Sequence, residues 1–286
     1  MERLANWVPS EAAWIPSVVT DKYPPIVFPD RGKKASFLLM TESTISCFED
    51  EKAQKLLSGF IKSQEFTFGV QTLKYFLLLK PENRKMSDKE FKARLAGFFF
   101  SSIAYRVLKR GLKQGERLLS PYDTEELYAS LHPTKPKRNL YGLGLQMRRI
   151  TIPDGILITE YEGRTEISRV YEYTLMDPEN PRKIPQLDHY RNRANVIADL
   201  APGLQGPIRE ICFPSAIQSR FGFPAEVEID PDQLKVVFVF PRDDREDVYN
   251  NIPGRKIFLP IFRFQFSMFL DAVFKDTKNS LIPKVE

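Results

Sequence analysis

Asp154 and Glu172 are the residues best placed to do chemistry. Asp154 opens an apolar run, Gly155-Ile156-Leu157-Ile158, and Glu172 sits late in a second run, Val170-Tyr171-Glu172-Tyr173-Thr174-Leu175. Gln186 and Tyr190 follow, four apart, at the start of a helical pattern. Two carboxylates converging from paired strands, with a backbone carbonyl near Tyr173, offer hard oxygen ligands suited to Mg2+ or Mn2+. A cation held there polarises a phosphate and acidifies a bound water, the minimal equipment for phosphodiester hydrolysis.

The surrounding elements must bring those groups together. Residues 150–158 and 166–175 read as a hairpin that turns through Glu162-Gly163-Arg164. Alternation along the second strand puts Glu172 and Thr174 on one face, and Asp154 enters from the neighbouring strand. Residues 186–200 read as one helix ended by Pro202-Gly203, with Gln186 and Tyr190 sharing a face. His189 falls on a different face and reads as a surface residue, not a metal ligand.

Upstream, Ser87-Asp88-Lys89-Glu90 carries the capping-box pattern of a helix start. Arg106, Arg110, Lys113 and Arg117 recur beyond it at steps of four, three and four. On a continuous helix they form one basic face. That face is either a track for phosphates or a solvated surface whose cations favour a helix C-terminus. Lys135, Lys137 and Arg138 make a basic loop around Pro133 and Pro136, a further candidate contact for nucleic acid.

The remaining elements are read more coarsely. Prolines 9, 16, 24, 25 and 29 punctuate an irregular start. Residues 35–40 suggest a short strand, residues 50–62 a helix, and residues 66–79 a helix or a strand. Residues 118–132 break at Ser120-Pro121 and resume as a short helix capped by Asp123 or Thr124. Residues 234–240 form a nearly continuous β-branched and aromatic run, the pattern of a strand buried on both faces. A last strand over 256–261 and a closing helix over 264–274 complete an α/β fold. The organisation expected is an α+β extension at 1–85 and a main domain at 86–286.

In order and placement, these motifs resemble those of the PD-(D/E)XK nuclease superfamily, from about Met86 to the C-terminus. Pro153-Asp154 matches its PD, and Glu172-Tyr173-Thr174 stands where it has (D/E)-x-K. Gln186-Leu187-Asp188-His189-Tyr190 resembles the QxxxY helix motif of the RecB-like branch. The resemblance implies a restriction-endonuclease-like core, a central mixed sheet flanked by helices. It also implies Mg2+ or Mn2+ on Asp154 and Glu172, and site roles for the residue at 174, Gln186 and Tyr190. Glu90 and Glu116 are the nearest candidates for a further acidic ligand from the upstream helix, and Glu160 for a spare one.

The motif lysine is replaced by Thr174. A hydroxyl carries no positive charge and cannot replace an ammonium electrostatically. Lys183, Arg191 or Arg193 could supply the missing cation, a second metal ion could do its work, or the chemistry is lost. The expected function is a metal-dependent DNA endonuclease or a nuclease-derived subunit. The alternative is a catalytically degenerate module for nucleic-acid binding or assembly. A homodimer or a place in a larger nucleoprotein complex fits either.

Composition narrows the field. The chain has 286 residues, 42% of them hydrophobic, enough for a sizeable core. A net charge of +5 is compatible with a polyanionic partner. Two cysteines, Cys47 and Cys212, lie far apart without CxxC spacing, which argues against a disulfide framework or a zinc site and suits a reducing cytoplasm. Two histidines leave little material for His-rich metal sites. No apolar run reaches the length of a membrane span, so no membrane partner is expected.

Overall fold

A computed structural model describes residues 38–80, 84, 86–132, 153–175, 184–204, 206–207, 209–244, 246–250, 252 and 254–281. Its helices are α1 (Leu39–Ser46), α2 (Glu51–Phe60), α3 (Gln64–Leu78), α4 (Asp88–Arg110), α5 (Pro121–Leu131), α6 (Ile184–Arg191), α7 (Arg193–Leu200), α8 (Ser215–Phe221) and α9 (Arg263–Asn279). Its strands are β1 (Glu116–Leu119), β2 (Gly155–Tyr161), β3 (Arg164–Tyr173), β4 (Arg209–Cys212), β5 (Glu226–Ile229), β6 (Lys235–Arg242) and β7 (Arg255–Phe262). The class is α/β, with a mixed, open seven-stranded sheet among the described residues. No helix described is long and apolar enough to cross a membrane.

The chain forms two compact units. The first takes the described parts of Met1–Ile103 and Pro260–Glu286, and the second those of Ala104–Arg138 and Gly144–Leu259.

In the first unit, polar residues start α2, α3 and α4 by accepting orphan N–H groups. Asp50 caps α2 through Lys52 and Ala53, and Ser63 caps α3 through Phe66. Ser87 and Glu90 exchange the reciprocal bonds of the expected capping box at α4. Residues 35–37 lie outside the described set, and from Leu39 the expected short strand is helix α1 instead. Its N-terminus is capped from the far end of the chain. Asp276 of α9 accepts the Met40 N–H (3.1 Å), the Thr41 N–H (2.8 Å) and the Thr41 hydroxyl (2.7 Å).

The ambiguous stretch at 66–79 is the helix α3. Its Phe66 joins Phe60, Phe99 and Phe269 in an aromatic core with ring centroids 5.2 to 6.4 Å apart. Gly69 makes room for that core, because a Cβ there would collide with the Phe99 ring.

In the second unit, β2 and β3 form the expected hairpin. The turn narrows to Glu162-Gly163, both with positive φ (50° and 79°), the conformation that two-residue hairpins favour. The strand order is β1-β2-β3-β5-β4, with β6 pairing β3 and β7. β3 is therefore central: antiparallel to β2, and parallel first to β5 at Glu166, then to β6 from Arg169 to Tyr173.

The β2–β3 register slips once. Leu157 faces Arg169 and Ile158 faces Ile167, which leaves Ser168 as an extra residue. Such a bulge resets the side-chain alternation. Ile167 and Val170 consequently both join the core cluster that packs α5, α6 and α7 onto the sheet. Val170 sets the phase of the strand beyond the bulge, so Glu172 and Thr174 share its face.

Three expectations change here. The basic stripe is not one helix face: α4 ends at Arg110, Lys113 lies in the following turn and Arg117 is on β1. The helix expected over 186–200 is two helices, because Asn192 leaves helical geometry and its side chain caps α7 through Ala194. The cap of α5 is Ser120, which forms a capping box with Asp123.

Candidate functional site

Asp154 and Glu172 lie at the end of the hairpin where β2 begins and β3 ends. Gly155 pairs with Tyr171, so the residue before Gly155 arrives beside Glu172 and Tyr173. The Tyr173 N–H donates to Asp154 Oδ2 at 2.7 Å, which ties the aspartate to the neighbouring strand. Gly155 is required next to it, since a Cβ there would stand 2.5 Å from the Tyr173 hydroxyl. Asp154 is half-buried. Glu172 is only 2% exposed, and its Oε2 is sealed from solvent.

α6 roofs this end of the sheet. Tyr190, 2% exposed, stands edge-on to Phe238 with centroids 6.1 Å apart, and Phe238 is the register partner of Glu172. Burial, then the Glu172 charge, then Tyr128 and Asp154, hold the Tyr190 phenol well above the ordinary tyrosine range. Burial, then Asp154, with smaller parts from Tyr171, Tyr105 and Glu172, does the same for Tyr173. Both phenols feel both carboxylates, so the four groups share one neighbourhood.

Thr174, at 3% exposure, follows on the face of Glu172, and its N–H donates to Val239 O at 3.0 Å. Of the basic groups considered as stand-ins for a lysine, Arg193 is turned elsewhere: its Nη1 donates to the carbonyls of Asp232 (2.8 Å) and Leu234 (3.4 Å). Lys183 lies outside the described residues, as do the side chains of Gln186 and Arg191.

The other acidic candidates are committed locally. Glu90 accepts the Ser87 N–H and hydroxyl, which pulls its carboxyl below the usual range. Glu116 accepts the Lys113 N–H at 2.9 Å. Glu160 faces Arg117 at 3.7 Å, and six strand residues put it about 20 Å along β2 from Asp154. It is not a spare ligand. Among the described residues, no group of three or more His, Cys, Asp or Glu is arranged to hold a metal ion.

Of the basic candidates, Arg110 and Lys113 are exposed and Arg106 is half-buried. The loop carrying Lys135, Lys137 and Arg138 lies outside the described residues.

His189 is not a surface residue. Its ring is about one-fifth exposed, and Nε2 lies 3.1 Å from Asp199 Oδ2. His132 Nε2 meets the Asp199 backbone carbonyl at 2.8 Å. Tyr128 stands beside them, its phenol raised by burial and by the Asp199 charge. Both histidines of the chain thus converge on one aspartate. Sequence reasoning passed over Tyr128 and Asp199, and used Tyr173 for its backbone carbonyl alone. Tyr128 and Asp199 recur at helical spacing like ordinary core and surface positions, and Tyr173 acts through its backbone.

No protein-family model, no curated protein and no solved structure matches the chain.

Proposed function

We propose that this protein hydrolyses phosphodiester bonds of DNA at the Asp154–Glu172 pair with the help of Mg2+ or Mn2+, on a restriction-endonuclease-like core. The observation that carries the proposal is that a half-buried aspartate and a nearly sealed glutamate lie at the same end of the central hairpin, the aspartate tied to the residue after the glutamate. Removing a carboxylate charge from water costs several kcal/mol unless partners offset it, and a bound cation is such a partner. Mg2+ suits the donors present, because it takes one or two carboxylates and keeps several waters. Strand geometry turns the Tyr173 carbonyl to the same edge as its N–H, toward Asp154, and adds a third oxygen.

When bound, the cation supplies charge stabilisation for the phosphate and acidifies a water. The chain's own residues do the positioning. Tyr173 N–H fixes Asp154, and the β2–β3–β6 ladder fixes the backbone of Glu172. Tyr190 closes the inner side, which leaves the Asp154 side for a phosphate to approach.

The test is cleavage of plasmid and oligonucleotide DNA by purified protein. Activity is expected only with Mg2+ or Mn2+ and is lost with EDTA. Asp154→Asn and Glu172→Gln are expected to lower it by about two orders of magnitude or more while DNA binding persists. Cleavage in EDTA, or unchanged cleavage by both variants, overturns the proposal. A second reading, a binding module that has lost the chemistry, is favoured by the buried Thr174 in the lysine position. It predicts salt-dependent DNA binding with no cleavage under any divalent cation.

A further inference from the structure

β4 turns an arginine toward the apolar side of its sheet. Arg209 opens the strand and pairs with Ile229 of β5, while Ile211 pairs with Val227. Register partners and alternate residues share a face. Arg209 therefore lies on the face of Ile211, Val227 and Ile229, all at most 2% exposed. The core cluster packs on that side, which is also the side of Glu172. The opposite face carries Glu210 in register with Glu228, and Glu228 in register with Glu166. Three carboxylates thus stand in one row, and the sheet separates them from the guanidinium.

Arg209 is half-buried. Its Nε is sealed from solvent and has no hydrogen-bond partner among the described residues, and no ion pair reaches the side chain there. The carboxylate of Asp230, the residue after Ile229, is turned to its own loop, where Oδ1 accepts the Asp232 N–H at 2.8 Å. Other arginines of the same unit are answered: Arg117 by Glu160, Arg193 by the carbonyls of Asp232 and Leu234, and Arg220 by Asp123 and Glu126.

A buried N–H without an acceptor is costly, and a methionine would cover the same apolar surface without that cost. The two Nη groups, by contrast, are not sealed. A packed stem with an open fork is the form in which arginine takes an oxyanion through two parallel bonds. Among the described strands β4 pairs only with β5, so the fork stands at an edge of the sheet. We propose that Arg209 is a phosphate-binding residue, its Nη groups taking a phosphate of the DNA backbone at that edge. The glutamate row repels a polyanion from the opposite face, which leaves the arginine side for the approach. Strand spacing and rise put Arg209 about 20 Å from Glu172, so the phosphate it takes is not the scissile one. The inference rests on the reading of DNA as the partner and adds a contact that positions the duplex.

The test uses the full chain labelled with nitrogen-15 and follows the arginine Nε–Hε signals, that of Arg209 being assigned by Arg209→Lys. A sealed Hε exchanges slowly with water and is expected to be visible at neutral pH. Inorganic phosphate is expected to shift it saturably, a short DNA duplex is expected to shift it as well, and acetate at the same ionic strength is not. Arg209→Met is expected to lower the slope of log K against log salt for duplex binding by about 0.9, the value of one phosphate contact, without lowering the melting temperature. Arg209→Lys keeps the charge and is expected to keep the slope. An Arg209 signal that neither phosphate nor duplex moves overturns the inference, and so does an equal response to acetate. A melting temperature that falls in Arg209→Met with the slope unchanged assigns the residue to packing and overturns it too. If Arg209→Met fails to fold, the wild-type titrations decide alone. DNA cleavage with an unmoved Arg209 signal removes this contact and leaves the hydrolysis standing. A response to inorganic phosphate with none to duplex overturns DNA as the source of the phosphate.

Discussion

Thr174 is where residue chemistry and inferred function pull apart. It is buried at 3% exposure on the face of Glu172, and its backbone is pinned to Val239. A lysine there would place an ammonium beside the carboxylates and near any bound phosphate. Thr174→Lys is expected to raise Mg2+-dependent cleavage, read as an initial rate on plasmid DNA. A rate that is unchanged or lower shows that another cation already fills the place. The phenols give a prediction independent of nuclease chemistry. Tyr128, Tyr173 and Tyr190 have folded-state pKa values well above the ordinary value near 10. The native state therefore holds protons that the unfolded state releases. This stability is fully present below about pH 10 and is lost as pH rises beyond it. Phenolate absorbance from these three is expected to appear only with loss of circular dichroism. Smooth titration in the folded protein would contradict their burial.

Elements differ in how much of their placement is local. The hairpin was legible because Glu162-Gly163 is a turn signal between two β-branched runs, and the capping box at Ser87–Glu90 because its partners lie three residues apart. The bulge at Ser168 was not legible. It changes the register of a strand whose composition reads the same with or without it. The break at Asn192 was missed because the apolar spacing runs on through it, and β4, α8 and β5 were missed because four to seven residues carry too little periodicity. The apparent basic stripe from Arg106 to Arg117 assumed a helix that stops at Arg110. α1 is the extreme case, since its cap comes from α9. Asp276→Ala strips the acceptor from two N–H groups and the Thr41 hydroxyl, all buried or half-buried. A loss of about 1–3 kcal/mol is expected in urea unfolding. Asp276→Asn, which keeps one acceptor oxygen, should lose less. Equal loss in both variants would mean that the charge, and not the number of bonds, holds the helix.

At the scale of the whole molecule, the first unit joins the early helices to the C-terminal helix, so its core is built from contacts that no local window contains. The second unit holds every described member of the candidate site. Charge is the one property of the entire chain that bears on the proposed DNA partner. A net +5 is modest, so on the proposed function DNA binding rests on particular cations. Arg110 and Lys113 are exposed in the second unit, Lys113 beside the Glu160 end of β2, and can be replaced without disturbing a core. Each phosphate contact contributes about 0.9 to the slope of log K against log salt for duplex DNA. The double variant Arg110→Ser, Lys113→Ser is therefore expected to weaken duplex binding equally across sequences and to lower that slope by about 2, with the melting temperature unchanged. Fluorescence anisotropy over a salt series reads both quantities. A slope that stays put would move the phosphate track off this corner of the sheet. Binding that does not respond to salt at all would remove the polyanion from the account, and with it the reason to look for a scissile phosphate beside Asp154 and Glu172.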